Sequence, residues 1–314
     1  MQRRPCCPRP APPRPTDMFI RQFEYLEALA REKHFRRAAE ACNVSQPTLS
    51  AALAQLEDEL GVPLVERSGR FQGLTPEGEI VLARARRALI EIEALRAEVA
   101  EAREGLRGKL RLGVIPTALP MAVRVTAPFC SAFPAVTLEI LSLTSDQIWQ
   151  RLEGFEIDAG LTYIDDEPPP GALYKPIYRE SYCLLTRADG PLGGRETISW
   201  AEAAEQKLCL LTGDMQNRRI IDGLFHKVGK APRPAVETNS IFNLITHAAL
   251  PGVASVSSRQ VLELFGPLAG VIALPLVDPE AQRTIGLVVA DRQPLPPLPR
   301  KFFASAPSLD DLEA

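Results

Sequence analysis

The chain has 314 residues, 46% of them hydrophobic, and a formal net charge of −3. This composition is typical of a globular protein and lacks the strong positive charge of a structural DNA-bending protein. No apolar run reaches the length of a membrane span, and the N-terminus has no apolar segment typical of a signal peptide. We therefore expect a cytoplasmic protein with no membrane partner.

Residues 1–17 form a predicted disordered tail. They include six prolines and four arginines. A proline-rich segment of this kind cannot bury enough apolar surface to fold. Two interpretations of the tail remain: an extension ahead of the native start, or a basic arm that touches DNA.

Residues 35–60 predict two helices joined by a tight turn. Ala38 and Ala39 give the first helix a small-residue seam, which lets a second helix cross it closely. Asn43 suits the end of that helix because asparagine tolerates left-handed dihedral angles. Ser45 is a favourable N-cap for the next helix, and Pro47 fits its first turn. This second helix has leucines at helical spacing that we expect to face inward, namely Leu49, Leu53, Leu56 and Leu60.

The opposite face of the second helix is polar and suits the DNA major groove. Its hydrogen-bonding side chains are Gln46, Thr48, Ser50 and Gln55. A glutamine amide binds adenine bidentately, serine and threonine hydroxyls bond several base edges, and residues near the start of a recognition helix reach the bases. We therefore predict a DNA-binding surface that includes Ser45, Gln46, Pro47, Thr48 and Ser50. The alternative is that these are ordinary cap and surface residues.

The chain resembles the N-terminal domain of LysR-type transcriptional regulators. The motifs that carry the resemblance match the family in order and spacing: residues 18–26, Phe35, Ala38–Ala39, Ser45–Pro47, Leu49–Ser50, Leu56–Glu57, 60–67 and 74–78. The family's plan covers nearly the whole chain after residue 17 and implies a winged helix-turn-helix domain over 18–76. Met18 stands where family members usually begin, which favours the start-site interpretation of the tail. Ala51 departs from the family, because many members have a long polar residue there, and this removes one contact with a base or phosphate.

Residues 68–74 predict a short β wing, because glycines mark its turn and Arg70 lies at its tip. The resemblance implies that this wing lies on the minor groove, whose negative potential attracts arginine. Arg70 is therefore a candidate minor-groove contact, and a solvated loop arginine is the alternative.

Charge supports DNA binding less than the motifs do. Residues 18–76 hold seven basic and eight acidic side chains, whereas a nucleic-acid-binding surface is usually basic. The acids at 57–59 would have to face away from DNA. The basic residues would have to face it, namely Arg21, Lys33, Arg36, Arg37, Arg67 and Arg70. Modest binding per subunit would make dimerisation necessary for useful affinity.

A long helix is predicted over 77–105, with Thr75 as its cap and Pro76 in its first turn. Its apolar residues recur four and three positions apart, which is the period of a coiled coil. These are Val81, Ala85, Ala88, Ile92, Leu95, Val99, Ala102 and Leu106. The pattern predicts pairing with the same helix of a second chain, and docking on the chain's own domain is the alternative. The resemblance implies an antiparallel linker-helix dimer, which would read an interrupted palindromic operator.

Residues 106–304 alternate strands with helices after a glycine-containing break at 105–108, which predicts α/β lobes built on parallel sheets. The expected strands are 109–115, 136–141, 159–164, 182–186, 208–211, 252–256, 271–274 and 285–289. The expected helices are 121–133, 146–152, 200–206, 218–227, 241–248 and 258–265. The stretch 294–299 is proline-rich, and residues 305–314 are expected to fray.

The resemblance implies that this region is a two-lobed effector-binding domain similar to periplasmic binding proteins of type 2. Lobe one would comprise 109–162 and 269–304, and lobe two would comprise 163–268. The chain would cross between the lobes near Thr162–Tyr163 and near Pro267–Leu268.

Hydroxyl- and amide-bearing residues follow strands or precede helices at four places in this domain. They are Thr117, Thr144, Ser145, Thr212, Asn239 and Ser240. In a two-lobed fold a ligand binds at the carboxyl ends of strands and at helix N-termini, which favour anions. We expect these residues to hold a small organic anion, with Arg218 or Arg219 as a countercharge. Each of them is equally suited to be an ordinary N-cap.

The remaining residues indicate neither an enzyme nor a cofactor site. The six cysteines have neither disulfide nor metal spacing, so reduced and mostly buried thiols are expected. Redox sensing would require Cys183 and Cys209 to lie on neighbouring strands. The sequence has no phosphate-binding loop, no His-Glu-x-x-His and no Gly-x-Ser-x-Gly motif.

One function accounts for all three parts of the chain. A solute-binding protein for transport would lack residues 18–106, and a DNA-bending protein would need no ligand cleft. The sequence therefore predicts a transcriptional regulator that binds double-stranded DNA and responds to a small-molecule effector. The family implies that two dimers pair into a tetramer, and RNA polymerase is a further expected partner.

Overall fold

The computed structural model describes residues 20–67, 71–165, 171–266, 269–292 and 294–309. The chain has two compact units, the first ending at Leu95 and the second beginning at Arg96. Within these described ranges, no helix is long and apolar enough to cross a membrane. The predicted tail 1–17, the wing residues 68–70 and the last residues 310–314 lie outside them.

Three helices and a two-stranded ribbon begin the first unit. They are α1 (Ile20–Glu32), α2 (Phe35–Ala41), α3 (Gln46–Leu60), β1 (Val65–Arg67) and β2 (Phe71–Leu74). The strands β1 and β2 are antiparallel, as predicted for the wing. Leu49, Leu53 and Leu56 are fully buried, but the prediction for Leu60 is wrong. Leu60 is 38% exposed, because it is the last residue of α3 and the chain turns away at Gly61.

The turn between α2 and α3 is made by the residues predicted to make it. Asn43 has a φ of 54°, in the left-handed region. Ser45 caps α3 by accepting a hydrogen bond from the backbone N–H of Thr48 at 3.3 Å. Gly61 ends α3 in the left-handed conformation, with a φ of 70°. These caps fix which face of α3 meets the core.

The long helix α4 (Pro76–Glu104) begins at its predicted cap, where Thr75 Oγ1 accepts a hydrogen bond from the N–H of Gly78 at 2.9 Å. The predicted apolar seam is half-buried or buried in the first half of the helix and mostly exposed in the second half. Ala85 is buried, whereas Leu95 and Val99 are 64% and 57% exposed. Leu106 is not part of the helix and packs in the hydrophobic core of the second unit. The second half of α4 therefore leaves an apolar stripe uncovered.

The second unit alternates strands and helices. Its first elements are β3 (Gly108–Val114), a short 3-10 helix (Pro116–Ala118), α5 (Ala122–Ala132), β4 (Val136–Ser142), α6 (Ser145–Glu153), β5 (Ala159–Tyr163), β6 (Ala172–Arg187), β7 (Ile198–Ser199) and α7 (Trp200–Ala203). The remaining elements are β8 (Leu208–Leu211), α8 (Gln216–Lys227), β9 (Val236–Thr238), α9 (Ile241–Ala248), β10 (Ala254–Ser258), α10 (Arg259–Phe265), β11 (Val271–Val277), β12 (Gln282–Ala290) and α11 (Pro297–Ser305). The strand order is β4-β3-β5-β12-β6-β10-β8-β9, with β11 also paired to β6 and β7.

The two lobes are joined along β6, which corrects both predicted crossings. Residues 172–181 of β6 pair with β12, and residues 182–187 pair with β10 and β11. The first crossing therefore lies inside β6 rather than at residues 162–163. Because β11 pairs in lobe two, the return crossing lies between Val277 and Gln282 rather than at 267–268. A strand shared by two sheets gives no break in the sequence pattern that would mark the crossing.

Helix α11 was not among the predicted helices, because its proline-rich start resembles a loop. Pro297 and Pro299 lie in its first turn, where a missing backbone N–H costs no hydrogen bond. Phe302 is fully buried and packs edge-to-face on Phe129, with 5.0 Å between ring centroids. The short strands β7 and β9 also escaped prediction, because two or three residues carry no alternation.

Gly78 is expected to be indispensable for the packing of α4 against the segment after α3. A Cβ atom at position 78 would lie 2.1 Å from the carbonyl oxygen of Leu64. We expect Gly78→Ala to destabilise the first unit by about 1–3 kcal/mol, as overpacked sites do, and to lower its melting temperature by circular dichroism. Gly223→Ala is the control, since a Cβ there meets nothing within 4 Å. Equal melting temperatures for both variants would contradict this account.

Candidate functional site

The predicted DNA-binding residues of α3 lie at the surface of the first unit. Ser45, Gln46, Pro47 and Thr48 are exposed and Ser50 is half-buried. The hydroxyl oxygens of Ser45 and Thr48 are 2.8 Å apart, so these two side chains hydrogen-bond to each other as well as capping the helix. Gln46 makes no hydrogen bond to a described residue, and its amide is available to a partner.

The acids at 57–59 were expected to face away from DNA and the basic residues to face it, and the positions of Glu57 and Arg36 are compatible with this expectation. Arg36 forms an exposed ion pair with Glu40 at 2.9 Å, and such pairs are weak enough to exchange for a phosphate. Glu57 points inward, because its Oε1 accepts hydrogen bonds from the N–H groups of Leu64 and Val65 at 2.9 and 3.1 Å. The side chain of Arg67 and all of Arg70 lie outside the described part of the chain.

Three of the six predicted effector residues converge on one cleft in the second unit. Thr117 and Ser145 are buried, Thr144 is half-buried, and all three line the cleft. The other lobe contributes Gln216 and Asn217, which begin α8. The cleft is therefore bordered by the N-termini of two helices, α6 and α8, whose dipoles favour electron-rich ligand atoms.

The hydroxyls in the cleft also have structural partners. Thr144 is the N-cap of α6 and accepts a hydrogen bond from the N–H of Gln147 at 3.2 Å. Ser145 Oγ accepts a hydrogen bond from Thr162 at 3.0 Å. Thr144 is therefore an N-cap that also lines the cleft, and its role in ligand binding stays a prediction.

The other three predicted residues do not line this cleft. Thr212 is half-buried just after β8, Asn239 is exposed, and Ser240 is half-buried and donates its N–H to Thr238 Oγ1 at 3.2 Å. Asn239 and Ser240 follow β9, which is the edge strand of its sheet. Asn239 and Ser240 were expected in the cleft because they precede α9, but a position before a helix does not fix where that helix lies in the domain.

The arginines considered as countercharges are engaged elsewhere. Arg218 forms ion pairs with Asp222 at 2.9 Å and Glu237 at 2.7 Å, and it donates to the carbonyl of Leu211. Arg219 donates to the carbonyl of Asp214 and forms a 3.4 Å ion pair with Asp146 on α6. Their positive charges are therefore compensated within the protein.

A buried hydrogen-bonded cluster lies behind the cleft, and sequence reasoning missed it. The Tyr163 hydroxyl, which lines the cleft, donates to Glu180 Oε1 at 2.7 Å. Asn217 Nδ2 donates to the same oxygen at 3.3 Å and to the Tyr163 hydroxyl at 3.0 Å. Thr117 Oγ1 lies 3.4 Å from that hydroxyl. No sequence signal marked this site, because Glu180 stands between Arg179 and Ser181 in a strand of mixed polarity.

Glu180 is fully buried, and this sets its acidity. Desolvation raises the pKa of Glu180 to about 7, although the hydrogen bond from Tyr163 acts in the opposite direction. Desolvation likewise raises the pKa of the Tyr163 hydroxyl well above its ordinary value. A carboxyl and a carboxylate are therefore both accessible at position 180 near neutral pH.

The cleft is small, and a larger cavity lies elsewhere. The space in the cleft open to the centre of a water-sized sphere is about 10 Å³, which matches about one water molecule. In lobe two, Cys183, Arg195, Arg259 and Val271 help to line a cavity of about 560 Å³. None of the predicted effector residues lines this larger cavity.

Cys183 and Cys209 do not lie on neighbouring strands. Cys183 on β6 pairs with Ser257 of β10, and Cys209 on β8 pairs with Ser255 of β10, so β10 separates them. Two strand spacings are roughly 9.5 Å, beyond the roughly 7 Å between Cα atoms that a disulfide spans. Both thiols are buried, whereas Cys42 is half-buried and Cys130 is exposed.

Comparisons with known proteins give the same two-part organisation. Residues 20–79 match the family described as bacterial regulatory helix-turn-helix protein, lysR family. Residues 103–308 match the LysR substrate binding domain.

Full-length relatives extend the similarity over most of the chain. The DNA-binding transcriptional dual regulator OxyR of Escherichia coli K12 is 32% identical over 286 residues, covering 88% of this chain and 91% of the relative. The hydrogen peroxide-inducible genes activator of Haemophilus influenzae is 31% identical, covering 88% and 92%. Among solved structures, a full-length OxyR variant from Pseudomonas aeruginosa has a TM-score of 0.72 and 26% identity, covering 92% of this chain and 95% of that one.

The acidity of Glu180 predicts a pH dependence of stability. A native pKa of about 7 against an ordinary value of 4.5 means that the native chain holds this proton more tightly than the unfolded chain. The free energy of unfolding must therefore fall as pH rises from about 4.5 to about 7. Glu180→Gln keeps an acceptor for Tyr163 and removes the titration, so its melting temperature should fall less between pH 5 and pH 8. Parallel wild-type and variant curves in differential scanning fluorimetry would contradict the assignment.

Proposed function

The chain belongs to the LysR family of DNA-binding transcriptional regulators, and from this premise we propose that a small effector bound in the cleft of the second unit controls its DNA binding. One observation carries the proposal: Thr117 and Ser145 from one lobe and Asn217 from the other meet in that cleft. A ligand that contacts both lobes has different affinities for different lobe arrangements. Only such a difference shifts a conformational population.

We assign base reading to the exposed start of α3. Gln46 is the best-placed base reader, because it lies in the first turn, is exposed and has no described hydrogen-bond partner. Ser45, Pro47, Thr48 and Ser50 complete the surface, and Arg36 lies nearby on α2. Arg67 and Arg70 remain proposed contacts of the wing.

We propose that two chains pair through α4. The exposed apolar side chains of Leu95 and Val99 would be covered in such a dimer, which accounts for apolar surface that the single chain leaves in water. Two symmetry-related α3 helices would read an interrupted palindrome. Pairing of two dimers into a tetramer and contact with RNA polymerase are further parts of the proposal, and they rest on the family alone.

Two ligand classes are compatible with the cleft. The N-termini of α6 and α8 support the small organic anion expected from the sequence. The volume of about 10 Å³ supports a much smaller molecule, and the name of the Haemophilus influenzae relative points to hydrogen peroxide. An organic anion would require the lobes to separate before it entered.

A thiol–disulfide switch between Cys183 and Cys209 has no place in this proposal. Burial raises the pKa of the Cys183 thiol to about 12, so its reactive thiolate is scarce at neutral pH. The strand β10 also keeps the two thiols apart. If a peroxide is the effector, the cleft would bind it through hydroxyl and amide groups.

Loss of the Gln46 amide should weaken operator binding. A bidentate glutamine–adenine pair contributes about 1–3 kcal/mol, so we expect Gln46→Ala to bind its operator roughly tenfold to a hundredfold less tightly per subunit. Fluorescence anisotropy with an operator duplex and with a scrambled duplex, at one salt concentration, measures this. Gln150→Ala, an exposed glutamine on α6, should bind like the wild type. Unchanged operator affinity of Gln46→Ala would remove Gln46 from the reading surface.

Loss of the Thr117 hydroxyl should remove the effector response and leave DNA binding intact. The test titrates small carboxylates and hydrogen peroxide against operator affinity of the wild type, and then repeats each active compound with Thr117→Val. Thr137→Val is the matched control, because Thr137 is exposed on β4. A Thr117→Val protein that responds as the wild type does would place the effector outside this cleft.

A further inference from the structure

Glu180 stands at the point where β6 passes from one lobe to the other. It is opposite Arg283 in the pairing with β12, and two residues later Tyr182 pairs with Ser258 of β10. Its side chain is fully buried. The surroundings of a carboxyl at this point change when the lobes move relative to each other and when the cleft beside it is occupied.

The contacts of Glu180 are all to uncharged groups. Tyr163 on β5 and Asn217 on α8 donate to its Oε1, and both of these residues line the cleft. Its Oε2 and the buried hydroxyl of Tyr178 have no close hydrogen-bond partner within the described chain. Burial raises the pKa of the Glu180 carboxyl, and the Tyr182 hydroxyl, which lies near it, lowers that pKa by a smaller amount. Thr117, in the 3-10 helix after β3, completes the polar surroundings.

No described cation forms an ion pair with Glu180. Arg283 on β12 is its direct cross-strand neighbour, and the Arg283 guanidinium donates its described hydrogen bond to the carbonyl of Gln282 instead. Arg218 and Arg219 on α8 form ion pairs with other acids. An ionised Glu180 would therefore place a negative charge without a described ion-pair partner one side chain away from the cleft.

This charge opposes the effect of the two helix N-termini. A helix terminus carries roughly half a unit of positive charge, and it is spread over several amides. A buried carboxylate carries a whole negative charge in surroundings of low dielectric constant. A ligand carboxylate in the cleft would therefore meet net repulsion when Glu180 is ionised.

We propose that Glu180 determines the ligand class of this cleft: a small uncharged hydrogen-bonding molecule is admitted at any protonation state, and a carboxylate only when Glu180 carries a proton. This inference rests on the proposed effector function of the cleft. It makes binding of an anion proton-linked and binding of an uncharged ligand independent of pH.

The expected pH range follows from burial. Desolvation raises the pKa of Glu180 to about 7, so the protonated fraction falls from most of the molecules at pH 6 to about a tenth at pH 8. An affinity that depends on the protonated form scales with that fraction. Anion affinity should therefore fall roughly tenfold between pH 6 and pH 8.

Formate and formamide are suitable probes, since each has three heavy atoms and only formate is charged at these pH values. Their affinities can be at best millimolar, because so few atoms contribute. We would titrate each into the full-length protein at constant ionic strength, at pH 6, 7 and 8, and follow the shift in melting temperature and the NMR signals of the probe. The variants are Glu180→Gln, Thr117→Val to locate binding in the cleft, and the control Glu196→Gln, whose carboxyl lies at the larger cavity.

The proposal expects formamide to bind the wild type and Glu180→Gln equally at all pH values. Formate should bind the wild type and Glu196→Gln about tenfold more weakly at pH 8 than at pH 6, and Glu180→Gln without this dependence. Formate binding that is lost in Thr117→Val but does not vary with pH in the wild type would overturn the role of Glu180 and leave the cleft function standing. Probes that bind regardless of Thr117→Val, or that do not bind at all, would contradict the cleft function and this inference together.

Discussion

Strand β6 is the constraint on which the second unit depends. Its residues 172–181 run along β12 in one lobe, with one irregularity at Ile177, and residues 182–187 are paired with β10 and β11 in the other. Any rearrangement of the lobes must bend this strand or break its pairing near Glu180. Because Tyr163 and Asn217 both contact Glu180 and line the cleft, a ligand in the proposed site would act directly on the strand that joins the lobes.

The first unit could be predicted because neighbouring residues determine its turn and caps. The crossings of the second unit could not, because they depend on strand pairing between distant parts of the chain. Asn43, Ser45 and Gly61 act through their own dihedral angles and caps, so the α2–α3 turn follows from neighbouring residues. The crossing inside β6 depends on partners more than a hundred residues away along β12, which no local pattern encodes. The place of Thr117 and Ser145 in the cleft could be predicted, because strand ends and helix starts meet at one edge of an α/β sheet. Glu180 was missed because a carboxyl in mid-strand acquires its role only through burial.

The balance of charge in the first unit favours the proposal that DNA is bound by two subunits together. Basic and acidic residues are nearly equal in number over residues 18–76, so phosphate attraction contributes little to the affinity of a single subunit. The proposed base contacts from Gln46 and its neighbours would then need doubling by symmetry to give useful specificity. The exposed apolar side chains of Leu95 and Val99 would provide the means, since covering them would join two subunits. Control of DNA binding by the cleft would act on the geometry of this pair.

Reciprocity gives the most direct test of the central claim, that the cleft and the reading helix are energetically coupled. If a ligand in the cleft changes the affinity for DNA, then DNA must change the affinity of the cleft for that ligand by the same factor. We expect this coupling to alter the cleft when DNA binds. The measurement is hydrogen–deuterium exchange of the full-length protein, with and without a duplex that the protein has selected from a random library. The account predicts altered exchange at residues 46–55 and also at the cleft segments around Thr117, Ser145 and Asn217. Protection confined to residues 20–79, with the cleft segments unchanged, would contradict it.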